Sequence, residues 1–177
     1  MKVHALTGKP KRKRHSLHWA ARNGHIDVCA YFIFENKVDP DIPTEDGTTP
    51  LHYACMMAHL NMARWLVDVA RCDVNRLNSF GCNASQWCAL SGSVPIMRML
   101  KARGLDLWIL NHNGHSVLHK AAMKGMVEAV DFFISPEAEG GLGLGLEYMQ
   151  PDNDSFTPVS FARSNHFPEL SAKLAVY

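Results

Sequence analysis

The sequence predicts an all-α solenoid of stacked helix pairs, and three observations predict it. A segment beginning Gly47-Thr48-Thr49-Pro50-Leu51-His52-Tyr53-Ala54-Cys55 returns 34 residues later from Gly81, and again 33 residues further on from Gly114. Each copy opens on a glycine and runs into apolar residues at helical spacing, with a second apolar helical stretch behind it. Periods of roughly 20–50 residues mark chains built from stacked supersecondary units, because one unit alone cannot bury its apolar faces.

The elements follow in order. The first unit, Ser16-Leu17-His18-Trp19-Ala20-Ala21-Arg22-Asn23-Gly24-His25, fits the register but has no glycine finger before His15. It is expected either to cap the stack or to mark a chain cut from a longer protein. In the second unit, Thr49 offers a capping hydroxyl and Pro50 suits the first helical position, where an N–H would have no acceptor. Leu51, Ala54 and Cys55 then form one apolar stripe, and Met62, Ala63, Leu66, Val67 and Val69 form another on the following helix. The third unit keeps Gly81, Ala89 and Gly92 but replaces the helix opening by Asn83-Ala84-Ser85-Gln86. The fourth restores the pattern as Ser116-Val117-Leu118-His119-Lys120-Ala121-Ala122. The fifth, Thr157-Pro158-Val159-Ser160-Phe161-Ala162, is a weaker copy, with Ser155 falling 41 residues after Gly114. The boundaries are therefore a basic, disordered head over 1–14 and units at about 15–43, 44–77, 78–110, 111–135 and 152–177. A flexible Gly-rich insertion is expected over 136–151.

These residues resemble the ankyrin repeat, whose unit reads T-P-L-H-x-A-A-x-x-G-H before an apolar helix. The resemblance covers about residues 15–177 and implies an ankyrin-repeat solenoid of helix-turn-helix pairs with β-hairpin fingers. It also implies a non-catalytic protein–protein interaction module that binds through the concave groove of fingers and first helices. The alternative is an ankyrin fragment or accessory domain of a larger signalling enzyme or channel. His18, His52 and His119 share one repeat position, where the resemblance implies an imidazole bridging backbone groups of adjacent turns. The partner-facing positions it implies are the finger tips and the two residues after the A-A pair. The tips are Glu45, Asp46 and Thr48, then Ser79, Phe80 and Cys82, then His112, Asn113 and His115. The helix positions are Arg22 and Asn23, Met56 and Met57, Leu90 and Ser91, and Met123 and Lys124. Met56, Met57, Phe80 and Leu90 make the middle of this row apolar, as interface centres are. Trp87 stands at the register of Trp19 and Tyr53 and is expected to line the groove edge.

Composition narrows the remaining classes. Of 177 residues 47% are hydrophobic and 20% charged, enough for one core without a metal or disulfide staple. Net charge is +1, but six basic residues and no acid lie in 1–14, leaving twelve basic against seventeen acidic side chains in the remainder. A body of net −5 speaks against a nucleic-acid groove, since phosphate contacts need clustered Lys and Arg. The five cysteines are odd in number and form no CxxC pair, which points to reduced thiols in the cytoplasm or nucleus. No apolar run approaches the roughly 18 residues of a membrane helix. No secretory leader is read in the first residues, whose positive charge precedes no apolar run.

Sharper chemistries fail on their own terms. His112 and His115 with Cys82 are ligand types, but Cys82 and His115 occupy one position in adjacent units, about one helix-packing distance apart. Cys55 and Cys88 fall on inward stripes, where free cysteine acts as a small apolar residue. The run Gly140-Gly141-Leu142-Gly143-Leu144-Gly145 lacks the GK[ST] ending of a phosphate loop. No cofactor or metal is expected, and the partner is a protein that the sequence does not name, bound by a monomer. The basic run ending Lys11-Arg12-Lys13-Arg14 reads as a nuclear-import signal. A fluorescent fusion of the whole chain should therefore concentrate in the nucleus and lose that bias when these four residues become Ala; unchanged distribution leaves only a solvated tail.

Overall fold

The computed structural model describes residues 15–177, so the import candidate Lys11, Arg12, Lys13 and Arg14 lies outside the described residues. Five helix pairs follow one another there. They are α1 (Ser16–Arg22) and α2 (Ile26–Ala30), α3 (Pro50–Met56) and α4 (Leu60–Asp68), then α5 (Ala84–Ser91) and α6 (Val94–Lys101). The last two are α7 (Val117–Met123) with α8 (Val127–Ile134) and α9 (Pro158–Ser164) with α10 (Pro168–Leu174). Helix α2 continues as a π-helical turn over Tyr31–Glu35.

First helices stack on first helices, α1 on α3 on α5 on α7 on α9, while α4 packs on α6 and α6 on α8. The sequence explains the closeness of the inner row. Ala20, Ala21, Ala54, Cys55, Cys88, Ala89, Ala121, Ala122 and Ala162 are all buried, and only side chains this small let helix backbones approach on both sides. Leu17, Leu51 and Leu118 supply bulk to the same core, joined from the second helices by Met62, Leu66, Ile96, Met97, Leu100 and Phe133. Val69, expected on the inner stripe of α4, is instead 49% exposed at the helix C-cap, where the chain leaves the helical period.

The fingers are turns and not the β-hairpins expected: no strand is present among the described residues. Each finger closes on itself through two backbone bonds: Thr44 N–H to Thr48 O (2.9 Å), Asn78 to Cys82 (3.0 Å), Asn111 to His115 (3.1 Å) and Asp152 to Phe156 (2.8 Å), and in return Gly47 N–H to Thr44 O (2.9 Å), Gly81 to Asn78 (3.0 Å), Gly114 to Asn111 (2.8 Å) and Ser155 to Asp152 (3.0 Å). One further backbone bond joins each finger to the next, from Ser79 N–H to Asp46 O and from His112 N–H to Phe80 O, both 2.9 Å. Asn153 N–H to Asn113 O (3.0 Å) completes the row. Five residues per finger are too few to build a ladder. The finger glycines serve both the turn and the stacking, shown by Gly81: φ is +73°, and a Cβ there would come within 2.7 Å of His112.

The 136–151 segment, expected to be flexible, is docked. Short 3₁₀ turns at Glu137–Glu139 and Leu146–Met149 flank Leu142 and Leu144, both buried. Their amides donate to Phe132 O and Phe133 O at the end of α8, each at 2.8 Å, because the two leucines alternate with glycines and press one apolar edge onto the stack. Leu51→Ala and Leu118→Ala should each cost about 2–5 kcal/mol of unfolding free energy, because each empties a site with no solvent access. Denaturant titration checks this, and the loss should appear in the midpoint at unchanged helical content.

Candidate functional site

The inner face of the stack is a groove with the fingers on one wall and the first helices on the other. At its centre lies a hollow of about 280 Å³. Phe80 and Asn113 reach it from the finger tips, Trp87 and Leu90 from α5, and Asp46 and Lys120 stand at its margin. Phe80 is 56% exposed, Met57 is 42% exposed, and Met56, Trp87 and Leu90 are half-buried. The structure therefore brings Asp46, Phe80, Trp87, Leu90 and Asn113 together around one hollow, whereas Met56 and Met57 lie outside its lining. His112, Lys124 and Asn23 are exposed, and Arg22 and Met123 half-buried, away from that centre.

Two finger residues expected to face a partner do not. Thr48 and His115 are buried, because the residue after the finger glycine turns back into the stack, and Cys82, though largely buried, lines the floor of the hollow. The carbonyls at that position are used by the neighbouring unit. His119 Nε2–H donates to Phe156 O (3.2 Å), and Gln86 Nε2–H donates to His115 O (3.0 Å). His18 donates two residues before the finger, to Ile42 O (2.9 Å). The other ring nitrogen of each histidine accepts from the backbone N–H at the start of its own helix: His15 to His18 Nδ1 (3.0 Å), Thr49 to His52 (3.0 Å) and Ser116 to His119 (3.1 Å). The acceptor role of Nδ1 fixes the neutral tautomer with hydrogen on Nε2. The Nε2 of His52 faces the carbonyls of Arg76 and Cys82 without a hydrogen bond of ordinary geometry.

A second polar chain runs from the hollow into the stack. Lys120 Nζ donates to His115 Nδ1 (3.0 Å), and His115 Nε2–H donates to Asp152 Oδ2 (2.8 Å). Burial, and then the Lys120 charge, hold His115 below its ordinary pKa despite Asp152. Burial pushes the Asp152 carboxyl upward, but bonds from Phe156 N–H, His115 and Asp154 N–H outweigh it, and it lies below its ordinary value. Lys120 is lowered by burial. The thiols are apolar in behaviour: burial pushes Cys29 up to about 12 and raises Cys88 well above an ordinary thiol. Cys82 Sγ–H donates to Gln86 Oε1 (2.8 Å), and Asn111 Nδ2 donates to the sulfur (3.6 Å). Among the described residues no group of three or more His, Cys, Asp or Glu side chains converges as a metal site would require. No helix among them is long and apolar enough to cross a membrane.

The family model for ankyrin repeats, in three copies, matches residues 17–111, more than half of the chain. The chain belongs to the ankyrin-repeat family. Relatives carry the same repeats within larger proteins. The tyrosine-protein kinase Shark of Drosophila melanogaster is 32% identical over 111 residues, covering 62% of this chain and 11% of the kinase. The target of rapamycin complex 2 subunit AVO2 of Saccharomyces cerevisiae is 22% identical over 160 residues, 90% of this chain and 36% of that protein. The probable 26S proteasome regulatory subunit p28 of the same yeast is 24% identical over 160 residues, 89% of this chain and 67% of that protein. The chain thus spans between 11% and 36% of the lengths of the first two. Ankyrin repeats in general mediate protein–protein interaction, and their rows of first helices and fingers are where this ankyrin chain holds its hollow.

Reading the sequence missed Lys120 as a groove residue. Its signal was present: Trp19, Tyr53, Trp87, Lys120 and Phe161 occupy one position in the five units, and only the fourth is charged. The histidines carry a pH dependence. Burial holds His52 and His119 at about 4, whereas unfolding returns each to about 6.5. Below about pH 6.5 the unfolded chain therefore binds protons that the ankyrin stack excludes, and stability falls as pH drops toward 4. Each histidine should cost on the order of 2 kcal/mol by about pH 5. His119→Gln should flatten this dependence in thermal melts, since Gln86 already holds the equivalent place with an uncharged amide.

Proposed function

We propose that the chain is a non-catalytic ankyrin-repeat module that holds a protein partner in the groove of fingers and first helices, centred on units two to four. One observation carries the reading: an apolar hollow stands open at the middle of the groove, with Phe80 and Met57 exposed beside buried stacking residues of the same helices and fingers. Large exposed apolar side chains at a concave centre mark interface anchors. Asp46, Met56, Trp87, Leu90 and Asn113 would contact the partner at the centre, and Arg22, Asn23, His112, Met123 and Lys124 toward the ends. Five free, buried cysteines suit a reducing compartment, cytoplasm or nucleus, and the module works as a monomer. The small share of the kinase that the chain spans favours a second reading, an accessory domain of a larger signalling protein, which would use the same groove.

The test separates binding from folding. Phe80→Glu or Met57→Glu should abolish retention of the partner in a pull-down, while the helical circular dichroism spectrum and Tm stay nearly unchanged. A contact at an interface centre is worth about 2 kcal/mol or more, a loss of roughly thirtyfold in affinity. Partner retention unaffected by both changes would move the site to another face.

A further inference from the structure

Within the row of aromatic residues along the first helices, Lys120 is the single cation, and it borders the hollow in which Phe80, Trp87 and Leu90 stand among polar residues such as Gln86 and Asn111. Its surroundings leave it short of negative charge. An ammonium carries three donors, and one of them goes to the neutral Nδ1 of His115 at 3.0 Å. The carboxylate behind it, Asp152, engages the far nitrogen of that ring, so an imidazole separates the two charges. Among the described residues no carboxylate lies within ion-pair distance of Lys120 Nζ. The cation is half-buried as well, and an ion partly removed from water without a direct partner gains from any anion that reaches it.

Resting on the groove reading, we infer that Lys120 receives an Asp or Glu side chain of the partner, set beside a bulky apolar residue that enters the hollow between Phe80, Trp87 and Leu90. The chemistry of the walls selects this pair. A hollow of about 280 Å³ with three large apolar side chains in its lining admits one large apolar group, and the single ammonium beside it suits one carboxylate. A polyanion is repelled by the net −5 of residues 15–177. The chain from Lys120 through His115 to Asp152 holds the ammonium in place, so the ion pair forms without first ordering a free side chain.

Selection of random displayed peptides on the whole protein tests this. Peptides recovered from the unaltered chain should carry Asp or Glu next to Leu, Phe, Trp or Met. A synthetic copy of a selected peptide should lose about thirtyfold or more in affinity when its acid becomes the amide. Lys120→Met keeps the aliphatic stem and should cause a similar loss, with the two changes together costing little more than either alone. Lys120→Glu should shift the selected residue to Lys or Arg. Peptides that require Phe80 but show no acidic preference would overturn the inference and leave the groove reading standing, and this arm needs no variant at Lys120. A library yielding no binder sensitive to Phe80→Glu overturns both.

Discussion

The spacing of the stack depends on one kind of hydrogen bond, made in three of the first four units, from the third residue of a first helix to the backbone at or just before the next finger. His18 reaches Ile42 O, Gln86 reaches His115 O and His119 reaches Phe156 O. Each of these side chains is buried, so each bond replaces water that the site has no room for. The second ring nitrogen of His18 and His119 is committed to the start of its own helix, which makes the imidazole a rigid strut between a helix and the next finger. Once fingers are held at that distance, the small residues of the first helices meet their neighbours and the apolar stripes close. The cost is that the strut must stay neutral. Burial enforces neutrality at ordinary pH and makes acid the condition that loosens the stack.

The periodic part of this design was legible because it recurs. Leu17, Leu51 and Leu118 fall at one register and are all buried, as are the paired small residues that follow them. The third unit shows where a motif is too narrow a guide. Asn83 accepts from Ser85 N–H (2.9 Å) as the cap, and Gln86 reaches the neighbouring carbonyl as histidine does elsewhere. The loss of T-P-L-H letters thus preserved the interactions those letters stand for. The 136–151 segment was hidden for the opposite reason: its glycines signal freedom, while the two leucines that dock it follow no repeat register.

The site was only half legible, and the reason is geometric. Sequence register places a residue on a finger tip or helix turn, but not on which side of a backbone it emerges. Asp46, Phe80 and Asn113 precede a finger glycine and border the hollow, whereas Thr48 and His115 follow one, are buried and lie outside its lining. The left-handed glycine between them reverses the chain, so neighbours two apart face opposite ways. Lys120 escaped notice because its meaning depends on a chain that crosses units. His115 belongs to the finger of its own unit, but Asp152, which takes the other ring nitrogen, belongs to the next finger, 37 residues from His115.

These constraints leave each unit few places to vary. The carbonyl after the finger glycine is taken by the neighbour, the third helix position is a strut, and the small pair behind it is fixed by helix approach. What remains free is the tip before the glycine, the position before the small pair and the positions after it. In the central units those places hold Asp46, Met56 and Met57, then Phe80, Trp87 and Leu90, then Asn113 and Lys120. A change at any of them alters the groove without emptying the core, because none is fully buried. Recognition in such a chain is therefore written in a short row of side chains, where replacing one aromatic by a lysine changes the kind of partner that fits while the stack behind it is left as it was.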